Sequence, residues 1–144
     1  RRFFESFIIV LFLFLLYLYV LTLAWNLGYR FVMIQLLAPG FAALFYLTGV
    51  MLERTKRNWF VGIRTPWTLS SDRVWDRTHR RGGRLFKIAG ALSLGGAIVP
   101  SAALFFILAP ILLAAADLVV YSYREYRAER GGGPPPEDRP PVSR

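Results

Sequence analysis

Residues 85–123 read LFKIAGALSLGGAIVPSAALFFILAPILLAAADLVVYSY, 39 positions in which only Lys87 and Asp117 carry charge. One helix of that length would measure about 58 Å, nearly twice the roughly 30 Å hydrocarbon core of a bilayer. The stretch must fold back on itself, and Pro100-Ser101 is the best turn, because proline ends a helix. This predicts two spans, about 85–99 and 102–123. Upstream lie two more apolar runs, 6–29 and 31–52, both uncharged. They predict spans over about 7–25 and 31–52, joined by a turn at Asn26-Leu27-Gly28-Tyr29-Arg30. Asn and Gly there tolerate left-handed backbone, and Tyr with Arg suits the headgroup region. Pro39-Gly40 falls mid-span and predicts a kink whose freed backbone groups neighbouring helices must satisfy.

The whole-chain figures agree. Of 144 residues 55% are hydrophobic and 16% aromatic, yet the net charge is +9 with 18 Lys and Arg. A mean hydropathy of +0.40 coexists with so much charge only because charge and apolar residues are segregated. The expected fold class is all-α, a polytopic membrane helix bundle of about four transmembrane helices with a cytoplasmic interfacial motif segment. The expected organisation is a membrane domain over 1–130, with the motif segment at 53–84 and a disordered Pro/Gly-rich tail at 131–144. Arg1-Arg2 before an apolar run suggests a signal peptide, but the run is long, aromatic and without a small-residue cleavage site, so a retained span is expected. The start at Arg1 and not Met suggests a fragment or processed form.

Basic residues orient the bundle. With four spans, 17 of 18 Lys and Arg fall on one side and Arg30 alone on the other; the positive-inside rule makes the crowded side cytoplasmic. Three spans would put the tail arginines outside, so four are favoured. The expected location is the cell membrane, multi-pass, with both termini cytoplasmic.

The chain has no cysteine, which excludes disulfides, thiolate metal sites and cysteine nucleophiles, and it has one histidine, too few for a His-rich metal cluster. No cofactor and no catalytic residue is expected. Ser71, Asp76 and His79 supply the residue types of a hydrolase triad, but Asp76 and His79 sit one turn apart on a short helix and no oxyanion-hole motif is visible.

The informative segment is 58–83. Thr65-Pro66 forces an extended approach, Ser70 or Ser71 offers an N-cap, and Asp72 suits the first turn of a helix over about 72–81 that continues towards span three. At 100° per residue Arg73, Arg77, Arg80 and Arg84 share one stripe within about 60°, with Trp75, Thr78, His79, Gly82 and Phe86 opposite. The stripe suits first anionic lipid phosphates, with Trp59, Trp67 and Trp75 as interfacial anchors; docking of a cytoplasmic protein or acidic ligand is the sharper second reading. Direct nucleic-acid binding is not expected, because lipid is the nearer anionic partner. His79 is expected to bond Asp76 or Asp72. Asp117, the lone carboxylate inside a span, is either a functional group by default or half of an interfacial ion pair, with Arg64 as a candidate partner. Ala89, Ser93 and Ala97 form a small-residue stripe suited to close helix packing.

The run Gly62-Ile63-Arg64-Thr65-Pro66-Trp67-Thr68-Leu69-Ser70-Ser71, followed by Val74-Trp75, Thr78-His79-Arg80 and Gly82-Gly83, resembles the signature of the SdpI family of bacterial integral membrane proteins. Asn58 and the closing Tyr121-Ser122-Tyr123-x-x-Tyr126 match as well, so the resemblance spans about 47–127. It implies a non-enzymatic toxin-immunity or signalling protein that binds partners at its cytoplasmic face, in the way the family's namesake is held to tether an ArsR-type repressor. Longer members carry a further membrane region upstream. The resemblance puts the motif or partner-binding role on Asn58, Gly62, Arg64, Thr65, Pro66, Trp67, Trp75 and His79. A different class of function, a structural accessory subunit of a larger membrane complex, also suits a small bundle with little extramembrane mass.

Overall fold

The computed structural model describes residues 2–131, with side chains from Glu5 onward. The expected tail, 131–144, lies outside the described residues apart from Gly131. Helix α1 spans Arg2–Asn26, α2 Met33–Arg54, α3 Pro66–Ser70, α4 Asp72–Ser93, α5 Gly95–Ile98 and α6 Ala103–Gly131, with a 3-10 turn over Pro100–Ala102 between the last two. The fold is all-α, that of a helical membrane protein. Among the described residues three helices are long and apolar enough to cross a membrane: Glu5–Asn26, Met33–Arg54 and Pro100–Gly131.

The expected third span, 85–99, is not a helix of its own. Its first part is the C-terminal half of α4, and the helix breaks at Leu94 before resuming as the short α5. The bonding tightens there, with the Leu94 amide donating to the Ala91 carbonyl and the Ala97 amide to that of Leu94, each three residues back. Val99 then leaves helical geometry before Pro100, at φ −120° and ψ 82°, and Gly95 lies so close to Phe106 of α6 that an added Cβ would sit 2.6 Å from its ring. The turn itself falls at Pro100-Ser101, as the sequence leads one to expect.

Small residues draw the helices together. A Cβ on Gly83 would lie 2.7 Å from the Gly49 carbonyl oxygen, and one on Gly90 would lie 2.7 Å from that of Ala42. The α2 and α4 backbones therefore touch, which in lipid favours van der Waals packing of small residues over bulky ones. Ala89 and Ser93 of the expected stripe are both buried, but the glycines set the separation. The register runs antiparallel. Lys87 Nζ pairs with Glu53 at 2.7 Å near one end of α2, and Gln35 Nε2 donates to the Ala97 carbonyl at 2.8 Å near the other. Residues 83–98 thus run alongside 35–53. Helix α6 packs on the other side of α4, from Ala103 beside Gly96 to Leu118 beside Gly82.

Helix α1 is held more lightly, by Phe14 against Phe41 at 5.1 Å between ring centroids and by Trp25 edge-on to Phe31. The Tyr17 hydroxyl donates to the Leu36 carbonyl. That bond falls in the turn preceding Pro39, where the proline removes a backbone donor. Helix α2 nevertheless runs unbroken through the proline. Most of the outward surface of α1 is exposed apolar side chain, as for a helix solvated by lipid.

The outward face of α4 changes character along its length. It reads Arg73, Arg77, Arg80 and Arg84, then Ile88, Ala91 and Leu94, all exposed. The change from charged to apolar on this face falls between Arg84 and Ile88.

Candidate functional site: the motif platform

Between α2 and α4 the chain builds a compact platform from short-range hydrogen bonds. Asn58 folds the entry. Its Oδ1 accepts from the amides of Phe60 and Val61, both at 2.8 Å, and its Nδ2 donates to the Lys56 carbonyl, a side-chain-closed turn typical of asparagine. Gly62 follows at φ +126°, a backbone conformation open to glycine alone at little cost. Thr65 then caps α3: its hydroxyl accepts from the Thr68 amide, while Thr68 Oγ1 accepts from the Thr65 amide at 2.9 Å and donates to the Ile63 carbonyl at 2.7 Å. Pro66 sits in the first turn, where its missing amide hydrogen costs nothing. Ser71 caps α4, accepting from the Val74 amide.

The platform rests on an aromatic pair. Trp75 and His79, one turn apart on α4, stack at 3.9 Å and 17°, and both are fully buried. The Trp75 indole nitrogen donates to the Thr55 carbonyl at 2.8 Å. The Ile63 amide donates to His79 Nε2 at 2.9 Å, which assigns the ring proton to Nδ1, 2.9 Å from the Trp75 carbonyl. Burial lowers the His79 pKa below its ordinary value, against the opposing pull of the Trp75 carbonyl and of Asp76. The expected bond to Asp76 or Asp72 is absent: both carboxylates point outward, and the loop backbone takes their place. With both nitrogens engaged by backbone, the ring has no free lone pair for proton transfer.

Helix α6 closes the other side. Thr65 Oγ1 lies 3.3 Å from Ser122 Oγ, and Trp67 packs against Tyr123 at 5.1 Å between centroids. Arg81 grips Asp117 with two bonds, Nε to Oδ2 at 2.6 Å and Nη2 to Oδ1 at 2.8 Å, and lies over the Tyr121 ring. Asp117 is therefore in an ion pair, but with Arg81 and not with Arg64. Arg64 instead donates to the Trp59 carbonyl at 2.6 Å. Of the three expected tryptophan anchors, Trp59 is 72% exposed, Trp67 half-buried and Trp75 part of the core. Trp75 cannot reach a headgroup because its helix turns it inward.

The arginine stripe lies outward as expected, with all four members exposed. Arg77 is tied to Glu125 at 2.9 Å. Arg80 and Arg84 have no carboxylate partner among the described residues. The sequence reading did not assign roles to Arg81, Thr55, Thr68, Ser122 or Glu125. Thr68 had a signal, since it stands three residues after Thr65 at the position of a capping box.

A protein-family model described as the SdpI/YfhL protein family matches residues 54–122. Those limits are the end of α2 and the serine that meets Thr65, so the matched segment is the platform with the helices that carry it. Over that segment, just under half of the chain, the sequence is similar to the SdpI/YfhL family. A curated member, the Immunity protein SdpI of Bacillus subtilis (strain 168), is 29% identical over 79 residues, covering 53% of this chain and 38% of that protein. The chain thus matches well under two thirds of that SdpI relative's length. No solved structure matches.

Proposed function

We propose that this chain is an SdpI-like integral membrane protein serving toxin immunity, signalling or both, and that it works by binding a partner at the platform and not by chemistry. The observation that carries the reading is the contrast within one helix. The inner face of α4 is fixed by Trp75, His79 and their backbone bonds, while Arg80 and Arg84 face outward without a carboxylate partner among the described residues. A rigid base carrying unneutralised guanidinium groups is a recognition surface. The relative's printed name, an immunity protein, supports the biological role.

The reading includes four crossings with both ends and the platform in the cytoplasm. The antiparallel register of residues 83–98 along 35–53 supports a crossing by the α4–α5 arm beside α2. The segregation of basic residues supports the orientation. Protein partners, such as a cytoplasmic repressor or other membrane subunits, and membrane lipids belong to the same proposal.

The test is expression of this chain in Bacillus subtilis lacking its own SdpI, challenged with the wild-type producing culture. Survival supports immunity. Death of cells in which the chain is present and correctly inserted refutes it, and mild-detergent purification from the same cells would then show whether it travels as a subunit of a larger complex.

A further inference from the structure

Beneath the platform loop, between the first turns of α1, the end of α2 and α4, lies a cavity of about 270 Å³. Phe7, Met51, Phe60, Ile63 and Phe86 are among the residues of its wall, and Arg64 is the one charged residue lining it. The loop beside it exposes Trp59 and Phe60, at 72% and 79%, two large apolar rings that water would not leave uncovered without a neighbour. The cavity also lies at a defined depth. Met51 is two residues from Glu53, the partner of Lys87, and Lys87 stands at the boundary where the outer face of α4 changes from arginine to apolar residues. The mouth of the cavity therefore opens at the headgroup layer and its floor reaches towards the hydrocarbon.

Arg64, like Arg80 and Arg84, lacks the carboxylate partner that four other cations near the platform have, and it alone of these lines the cavity. Arg57 pairs with Asp72, Arg77 with Glu125, Arg81 with Asp117 and Lys87 with Glu53. Arg64 meets only the Trp59 carbonyl, and no carboxylate pairs with it among the described residues. That bond fixes one arm of the guanidinium and leaves its remaining donors available.

We propose that this cavity is a binding site for one anionic phospholipid, with its phosphate on Arg64 and one acyl chain along the Phe7–Met51–Phe86 wall. The volume is below the roughly 300–1,000 Å³ of sites that enclose a whole drug-sized ligand, so it accommodates part of a chain while the rest of the lipid stays in the bilayer. The charge selects the headgroup, because a guanidinium holds a phosphate through charge-assisted, two-point hydrogen bonding. This assignment rests on the membrane character of the chain and is independent of immunity or signalling.

The test uses the full chain in mild detergent, with native mass spectrometry of retained lipid. Phosphatidylglycerol and phosphatidylcholine of the same acyl chains are offered in equal amounts. Wild type should retain phosphatidylglycerol preferentially, and Arg64→Gln should lose about tenfold in that preference, as expected for removal of one charged hydrogen-bonding group. Arg64→Lys, checked for an unchanged melting temperature, should keep an intermediate preference and guards against misfolding of the glutamine variant. Lysophosphatidylglycerol should bind with one-to-one stoichiometry while glycerol phosphate, which has no chain, should not. Equal retention of both lipids by wild type would overturn the site. An equal loss in Arg84→Gln would overturn it too, by making the preference a property of diffuse charge. Binding of glycerol phosphate as tightly as the lysolipid would remove the cavity from the argument, and a co-purifying peptide in place of lipid would name a different occupant.

Discussion

Gly62→Ala should be among the most destabilising single substitutions in the chain, for two reasons that can be separated. The first is backbone strain. Gly62 holds φ +126°, and a residue with a Cβ in so rare a conformation costs on the order of 1–3 kcal/mol. The second is steric. The new Cβ would lie 2.4 Å from His79 Nε2 and about 3 Å from the far edge of the Trp75 ring, so the histidine must move off the Ile63 amide. Leaving that buried pair unmatched costs a further 1–3 kcal/mol or so. The total is roughly 2–6 kcal/mol. Gly28→Ala is the internal control. Its φ is +99°, yet nothing lies within 4 Å of the added carbon, so it bears the strain without the clash. Reversible unfolding in mixed micelles, followed by Trp75 fluorescence and helical circular dichroism, measures both. A double-mutant cycle with His79→Ala then isolates the steric part, which should appear as a coupling of at least about 1 kcal/mol. Equal costs at positions 62 and 28, or additivity with His79→Ala, would refute the argument that the His79–Ile63 bond organises the platform.

Four other outcomes are expected. Because burial lowers the His79 pKa below its ordinary 6.5, stability should be complete above that pH and fall as the pH drops below it, at up to about 1.4 kcal/mol per unit; His79→Gln should flatten the profile between pH 7 and 5. Arg81→Gln should cost no more than about 1 kcal/mol in melting experiments, because the Arg81 and Asp117 side chains are 45% and 38% exposed and water screens the pair, and a loss above 3 kcal/mol would mean that lipid desolvates it. Single cysteines at Gly28 and Ser101 should react with an impermeant thiol reagent added outside intact cells while one at Ser70 should not, and the reverse pattern would invert the proposed orientation. Lysine at Arg73, Arg77, Arg80 and Arg84 together should preserve membrane insertion but abolish toxin survival if the stripe docks a protein through guanidinium geometry, whereas full survival would leave it a lipid anchor.

The membrane helices were legible because hydrophobic runs of known length leave few alternatives. The same arithmetic located the turn at Pro100 but overestimated the independence of 85–99. Composition reports where a chain can cross, whereas the break at Leu94 lies in a local switch of backbone bonds, the Leu94 and Ala97 amides reaching carbonyls three residues back, which hydropathy does not register. In the platform, helical periodicity assigned Trp75 and His79 to the inner face and the four arginines to the outer one. It failed on partners. The expected link between Arg64 and Asp117 paired the two charges that stood alone in the sequence, but Arg81 projects towards α6 and reaches Asp117 first. His79 was matched to acids on its own helix when its ligand is the Ile63 amide, delivered by a loop whose path depends on the positive φ of Gly62.

Those partner errors share a physical cause that also explains how the platform is held at the membrane. Helix α4 joins two environments, and at the join its cations are matched from both sides: Lys87 by Glu53 of α2 and Arg81 by Asp117 of α6. Each acid ends or interrupts an apolar run, and because both pairs are partly exposed each is worth little energy on its own. Pairing with α4 nevertheless marks the axial position of α2 and α6 against one helix. Sliding α4 by one turn would separate both pairs together and bring Arg84 towards hydrocarbon. The glycines at 49, 83 and 90 make the close approach possible, but a smooth small-residue contact specifies distance better than height. The two ion pairs supply the height, and so set the axial position of Arg64, the cavity beneath it and the arginine stripe relative to α2 and α6.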